Sequence, residues 1–552
     1  MHCDITNQSS DRSGVAARRR GILFLACLGS VCAAAAYVGA VPTRKFGHDT
    51  FFLLDNGWRV INGQRPHLDF TSAWGPVAYF IAAFGLALSH YGVDGIGYGN
   101  ASFALIISLW GYRLSREAMG YPARFFTCLY LALLVVAPYP LGWGVSSSSF
   151  AMLYNRYGYA LLALLMVEAV SCKVRTEKIA LKEDPFGAFS SGAVAALAFF
   201  LKANYFVAAI LILAVAAIAA PPSGRRLTGM VAGFLLTSLL FLCYLGFDVA
   251  AIRGDLEMAA GARAAGFTWM ELGSKLVLNV PSLLFMLLLC VMGVRAAKRQ
   301  ARPVKTAMAG PFIFAIDMLL LAGNQQYLEL PLTSLWALFV GAEASGLVPT
   351  DVRGPAAGEG APSRGVIIAG GAFFLFFFCS QLTGLGYGVA QKLRPPGADH
   401  LARFTAPPLR SLLLYDDAVE PASNGGRYVA YVNSGVRLLE QHTGPDETVL
   451  TIDMMNPFPY ALQRPAPRGG MAAAAFWCTL SETHRPFDAR FFGATDLVMV
   501  PKEPASQRQM FDGLMAAYHD GLQERFRLVA ENEMWLLYRR KDTVSATLFP
   551  RW

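Results

Sequence analysis

Gly47-His48-Asp49-Thr50-Phe51-Phe52-Leu53-Leu54-Asp55-Asn56-Gly57-Trp58-Arg59-Val60-Ile61-Asn62-Gly63-Gln64-Arg65-Pro66-His67-Leu68-Asp69-Phe70 follows the first long apolar run of this chain. Phe51, Leu54, Trp58 and Ile61 recur at spacings of three, four and three, which puts them on one face of a short amphipathic helix. Asp55, Arg59 and Asn62 fall on the opposite face. Gly63 tolerates the positive φ of a helix C-terminus. Such a helix is expected to lie flat on a bilayer surface, with its apolar face on lipid and Asp49 at its N-terminal end.

The surrounding composition makes a bilayer the natural setting. The chain has 552 residues, 55% of them hydrophobic and only 15% charged, where a soluble chain would carry roughly a quarter as Asp, Glu, Lys and Arg. Its mean hydropathy is +0.40. Apolar runs of spanning length occupy 21–41, 98–115, 122–141, 154–172, 186–201, 204–220, 228–246, 273–294, 307–323, 328–347 and 365–385. From about Pro395 the composition becomes that of a soluble domain. The net charge of +9 comes largely from short clusters beside the apolar runs, which speaks against nucleic acid as a partner. The nine cysteines show no spacing for a metal site or a disulfide framework.

The run 74–91 decides the topology. If it does not cross, the N-terminus is cytoplasmic and so are Arg113/Arg116, Lys173/Arg175/Lys178, Arg225/Arg226, Arg295/Lys298/Arg299/Arg302 and Arg353/Arg364. If it crosses, all of these lie outside while Arg18–Arg20 stay inside. The first arrangement obeys the charge bias at every short loop. It gives about 11 transmembrane helices, with 74–91 an interfacial helix and the C-terminus outside. The predicted domains are a cytoplasmic tail (1–20), a transmembrane domain (21–390, with a first outer loop at 42–97) and an extracytoplasmic domain (391–552). In the last, Val429–His442 and Phe511–Phe526 read as helices, Thr448–Ile452 and Asp496–Pro501 as strands, and Arg527–Glu531 with Met534–Arg539 as a closing hairpin. The fold class is therefore an α-helical polytopic membrane protein with a small C-terminal α/β domain. Gly358-Glu359-Gly360 reads as a flexible loop.

Asp49 has two readings. It is either an N-cap whose carboxylate accepts backbone N–H bonds, or a general base at the membrane surface. Phe52 stands where a capping box would place Glu or Gln. Arg156 and Lys202 sit at outer ends of apolar runs, where a cation either snorkels to headgroups or holds a phosphate. Asp317 lies inside a span, and Gln325, Gln326 and Glu329 cluster at the next outer turn, as binding groups or as helix–helix hydrogen bonds. Asp248, Asp255 and Glu257 read as solvating their loop. His48, His67 and His90 lack metal-ligand spacing.

An acid just after the first span, an amphipathic helix, Asn62-Gly63-x-x-Pro66-x-x-Asp69-Phe70 and Gly75-Pro76 before an apolar helix together resemble the membrane glycosyltransferases of the GT-C fold. The likeness is to the bacterial branch related to protein O-mannosyltransferases and the lipid A aminoarabinose transferase. Weaker matches are Asn155-Arg156-Tyr157-Gly158-Tyr159 and Leu201-Lys202-Ala203-Asn204-Tyr205. The resemblance implies a bacterial inner-membrane enzyme that moves a sugar from a polyprenyl-phosphate donor to a hydroxyl of a glycan, lipid or protein, with inversion. Asp49 would be the catalytic base. Lys202, Arg156, Asp69, Arg59, Tyr205 and Gln326 are the candidate substrate-binding residues. Thr50 stands where the family often has a second acid, so the catalytic role is carried to Asp49 alone. No cofactor is called for, and no divalent metal is indicated. A transporter or flippase of a lipid-linked glycan is the rival class. It would favour internal repeats and midplane polar groups, whereas here no repeat is seen and the polar residues gather at the outer face.

Overall fold

The structure is a computed structural model that describes residues 4–177, 184–299, 304–347, 363–394, 400–416, 424–505 and 507–541. Lys178, Arg302, Arg353, the Gly358–Gly360 loop and the residues after Pro395 at the domain boundary lie outside the described residues. Each apolar run is helical. The run at 273–294 is two helices, Trp269–Leu278 and Val280–Arg299, interrupted at Asn279. Among the described residues five helices are long and apolar enough to cross a membrane: Val15–Val38, Gly224–Tyr244, Val280–Arg299, Lys305–Gly323 and Arg364–Leu393. Local chemistry sets many starts. Pro occupies the first turn of the helices beginning at Pro76, Tyr121, Pro185 and Pro331, and Ser223 and Thr268 cap theirs with side-chain hydrogen bonds.

The first helix runs Asp4–Val38, so Arg18–Arg20 ride on it as exposed residues. The 1–20 segment is thus helical from Asp4 and continuous with the apolar stretch.

The helix ends fall into two sets. At one end, Tyr121 Oη donates to the Arg20 carbonyl, Arg113 faces Asp184, Gly120 N bonds to the Leu347 carbonyl and Arg226 pairs with Glu168. At the other end lies the C-terminal unit, joined to the first loop by isolated bridges at Thr43–Leu414 and Thr71–Met471. The helix Pro76–Leu88 begins and ends on that second side. Thr71 bonds to Gly470 and Ala472 before it, and Tyr91 and Val93 bond to Tyr460 and Pro408 after it. Its 13 residues reach about 20 Å, short of a ~30 Å hydrocarbon core.

The C-terminal unit pairs β1 (Leu401–Arg403) with β2 (Leu413–Tyr415). A second sheet joins β3 (Val449–Thr451), β4 (Leu497–Pro501), β5 (Phe526–Glu531) and β6 (Trp535–Arg540) in the order β3-β4-β6-β5. β3 and β4 are parallel, and the remaining pairs are antiparallel, with an irregularity between Leu528 and Ala530. One face packs against the helix Gly425–His442, where Trp535 Nε1 donates to the Tyr431 carbonyl at 2.8 Å. The other face, with Val498, Val500, Leu450 and Ile452, forms a second core with Phe511, Leu514, Tyr518 and Leu522 of the helix Arg508–Arg525.

The helix Thr50–Ile61 does not lie bare on a leaflet. Every residue from Thr50 to Arg59 is buried. Phe51, Leu54 and Trp58 join the main core, each stabilising it by roughly 1.5–3 kcal/mol. The C-terminal unit packs on the helix from both faces. Asn56 Nδ2 donates to the Ala472 carbonyl at 3.0 Å and Trp58 Nε1 to the Arg464 carbonyl at 2.7 Å. Arg59, expected as an exposed loop cation, is fully buried. Its Nε meets Asp55 at 2.9 Å, and its Nη1 donates to Gln64 and to the Pro467 and Gly469 carbonyls. The amphipathic pattern is real, but its polar side is matched by backbone carbonyls rather than by water.

Candidate active site

Asp49 is presented by a strained turn. Phe46 sits in the left-handed region at φ 52°, ψ 48°, which bulky residues rarely adopt. It starts a 3₁₀ turn over Gly47–Asp49 that leads directly into the helix. Asp49 therefore enters the N-cap position with helical torsions (φ −66°, ψ −19°), not the extended ones that aim a capping side chain back at the helix N–H groups, and its side chain makes no cap hydrogen bond. Its Oδ1 lies 3.3 Å from His48 Nε2, and the side chain keeps 18% exposure. Burial pushes its pKa above the usual carboxylate range, against the opposing influence of His48.

Lys202 is brought to the same region by the Gly75-Pro76 corner. Gly75 N bonds to the Leu201 carbonyl and Val77 N to the Phe200 carbonyl, so the first loop is laced to the turn that carries Lys202. The contact needs glycine, because a Cβ on residue 75 would fall 2.0 Å from the Phe200 oxygen. Lys202 precedes the helix Ala203–Ala219 in an extended conformation (φ −168°). Its ammonium donates to Asn324 Oδ1 at 2.6 Å and lies 5.0 Å from the centre of the Tyr154 ring. Burial, reinforced by the charge of Arg263, lowers its pKa to about 7. Asn324 Nδ2 in turn reaches Tyr205 Oη at 3.4 Å. Tyr205 packs over Gly158, where a Cβ would meet the ring at 2.5 Å. The 155–159 and 201–205 motifs are thus two sides of one contact.

Tyr154 joins the two halves. Lys202 approaches its ring, and Phe52, in the first turn after Asp49, packs edge-on against it at 5.4 Å. The structure therefore gathers Lys202 and Tyr205 around Tyr154 and Asn324, and joins the start of the Asp49 helix to them through Phe52.

It does not gather the other candidates there. Arg156 is buried, with Nε on the Tyr139 carbonyl at 2.8 Å and Nη1 on the Leu134 carbonyl and Gln381. Gln326 turns inward, its Nε2 on the Leu328 and Glu329 carbonyls at 2.9 Å. Asp69 accepts from Arg65 N at 2.7 Å and faces Arg468, tying the loop to the C-terminal unit. Arg59 is engaged as described above. Asp317 accepts from Thr333 N at 2.8 Å and Thr333 Oγ1 at 2.7 Å in the first turn of the helix Pro331–Ala344, which gives the intramembrane carboxylate a capping role. Asp255 is not a loop-solvating acid. It is buried between His67 Nδ1 at 3.0 Å and Arg490 Nη2 at 2.9 Å. Among the described residues no group of three or more His, Cys, Asp or Glu is placed to hold a metal ion.

Several members of the site are missing from the sequence reading. Tyr154 opens a span and looks like an interfacial aromatic. Asn324 stands beside the Gln325–Gln326 pair that drew attention instead. Tyr428 belongs to the C-terminal unit, and its buried hydroxyl, pushed up chiefly by burial, also feels Asp49. No spacing rule links residue 428 to residue 49.

No family model and no curated relative matches the chain. Among solved structures it is similar to ArnT from Cupriavidus metallidurans bound to undecaprenyl phosphate, at a TM-score of 0.45 and 11% identity over 96% of this chain and 99% of that one. It is also similar to the apo state of that protein, at a TM-score of 0.36 and 12% identity over 95% and 98% of the two chains. Overlaps this loose leave the site to be judged on its own geometry.

Proposed function

We propose that this chain is a membrane glycosyltransferase that moves a sugar from a polyprenyl phosphate to an acceptor hydroxyl, with inversion. Asp49 is the general base and Lys202 the cation for the departing phosphate. The observation that carries this reading is a carboxylate that caps no helix and an ammonium that meets a neutral amide, neither held in a carboxylate–lysine ion pair among the described residues, with Tyr154 packed between Lys202 and the first turn after Asp49. A structural carboxylate in Asp49's position would cap the helix, and it does not.

In the step, the acceptor oxygen bonds to the anomeric carbon as its proton passes to Asp49. The bond from that carbon to the phosphate oxygen breaks, and its electron pair leaves with the polyprenyl phosphate. The phosphate goes from a singly charged diester to a monoester that approaches two negative charges, so a fixed cation stabilises the products and the transition state more than the bound donor. The raised pKa of Asp49 suits a base that takes a proton from a neutral hydroxyl. The reaction is assigned to the outer membrane face, because the C-terminal unit and Asp49 lie at the opposite ends of the helices from Arg20, Arg113 and Arg226.

The test uses purified protein in nanodiscs with a radiolabelled polyprenyl-phosphate sugar and a membrane extract as acceptor. Asp49→Asn should lower transfer by roughly 10²–10⁴. Transfer at the wild-type rate would sink the assignment of Asp49.

A further inference from the structure

The C-terminal unit reaches Asp49 through Tyr428. This residue sits in the first turn of the helix Gly425–His442, whose start is fixed by Asn424 capping Arg427 N at 2.9 Å. Its ring stacks on Tyr431 at 5.8 Å, and Tyr431 Oη is anchored on Asp453 at 2.6 Å. From there the Tyr428 ring meets His48 at 6.2 Å and Phe51 at 5.8 Å. Tyr428 is 8% exposed, and its hydroxyl makes no hydrogen bond among the described residues. Across the turn, Phe46 meets Trp143 edge-on at 5.1 Å and His48 at 6.4 Å. Trp143 keeps 37% exposure, and the preceding residue is pinned by the Gly142 N bond to Glu329 at 3.0 Å. Rings from three distant segments of chain, Phe46 with His48, Trp143, and Tyr428, thus pack around the turn that carries Asp49.

We propose that these rings form a cup beside Asp49, that it is the acceptor subsite and takes a sugar ring, and that Tyr428 orients the attacking hydroxyl toward Asp49. The proposal rests on the reading of Asp49 as the base. A sugar ring has a C–H face that packs on aromatic planes and a rim of hydroxyls that need polar partners. The cup offers both: the partly exposed Trp143 ring, the free Tyr428 hydroxyl, and a carboxylate with lone pairs left over beyond His48. An acyl chain in the same place would cover the Tyr428 hydroxyl without giving it a partner. On this view the C-terminal unit is part of the active site, and Phe46 holds its left-handed conformation because the turn must present Asp49 and one wall of the cup together.

The experiment uses full-length protein in nanodiscs, a radiolabelled polyprenyl-phosphate sugar, and acceptor extracted from cells that lack this chain. Initial rates are measured with donor and acceptor varied separately. Tyr428→Phe keeps the ring, and it should lower kcat/KM for acceptor about tenfold with the donor KM unchanged. Trp143→Ala, at a partly exposed position, should raise the acceptor KM in the same way. Linkage analysis of the product should find the label on a sugar hydroxyl. Wild-type acceptor kinetics in both variants would overturn the subsite. So would label released by β-elimination from Ser or Thr, or label found on a lipid hydroxyl. Asp49→Asn runs in parallel: full activity there, or no transfer by the wild type, overturns the underlying reading and the subsite with it. Loss in Asp49→Asn with wild-type behaviour in the other two variants overturns the subsite alone.

Discussion

Lys202 Nζ lies 2.6 Å from Asn324 Oδ1, a neutral amide where a buried lysine would ordinarily meet a carboxylate. Among the described residues no carboxylate pairs with it, and the charge of Arg263 adds to burial in disfavouring its protonated form. The arrangement leaves a desolvated ammonium with a depressed pKa and an unmet demand for an anion.

The pH dependence follows from this. Lys202 is charged below about 7 and loses its proton as pH rises through that value. Asp49 must be ionised to act as base, and its raised pKa moves the acid limb up from the ordinary carboxylate range. The profile of kcat/KM for donor should be bell-shaped and narrow, with the alkaline limb belonging to Lys202. Lys202→Arg keeps its charge throughout, so the alkaline limb should vanish in that variant. Rates from about pH 5 to pH 9 check this; an unchanged alkaline limb would assign that limb to another group.

Asn324→Asp tests the same pair from the other side. It supplies the missing carboxylate, so Lys202 should stay charged to higher pH yet be occupied internally. The donor KM should rise by about tenfold or more, since the phosphate now competes with a built-in anion. Donor titrations of the variant give the answer directly.

Asp49→Asn should separate activity from stability. Because Asp49 makes no capping hydrogen bond, the melting temperature should stay close to wild type, whereas loss of a true cap would cost about 1 kcal/mol. Transfer should fall by roughly 10²–10⁴, the usual scale of a general base. A clear fall in melting temperature would restore the capping role.

The Arg59–Asp55 pair should behave as a buried unit. Arg59→Met leaves Asp55 buried opposite nothing and removes the bonds to Pro467 and Gly469. The expected loss is about 3–5 kcal/mol. Asp55→Asn in the same chain should recover part of it. Thermal unfolding followed by limited proteolysis would show whether the C-terminal unit loosens first.

The orientation is open to chemical labelling. A cysteine at the exposed Glu482 should react with a membrane-impermeant maleimide on intact cells, and one at the exposed Arg19 should react only after permeabilisation. The reverse pattern would invert the assignment of both membrane faces.

Much of the architecture is legible locally. The apolar runs become helices because length, apolar content and proline or Ser/Thr starts are properties of one segment. The strands at Val449–Thr451 and Leu497–Pro501 and the closing hairpin follow from the same kind of pattern. Periodicity also finds the helix after Asp49. It goes astray on what that helix faces, because an amphipathic pattern shows that two faces differ and not what covers each. Arg59, Asn56 and Trp58 look like residues for water and lipid, yet their partners are carbonyls at positions 464–472, about four hundred residues away.

The sequence by itself determined the chemistry on offer: a helical membrane chain, an acid after the first span and a lysine between two short apolar helices. Tertiary structure alone decided which of those groups are free to act. A capping turn, a buried pair and an open carboxylate are the same residue type in different surroundings, and the surroundings are set by contacts between distant segments. Packing consumed Arg59, Arg156, Asp69, Asp255 and Asp317 as structural ties. The left-handed Phe46 and the close approach at Gly75 kept Asp49 and Lys202 out of such ties, and the fold of the C-terminal unit brought Tyr428 against His48, beside Asp49.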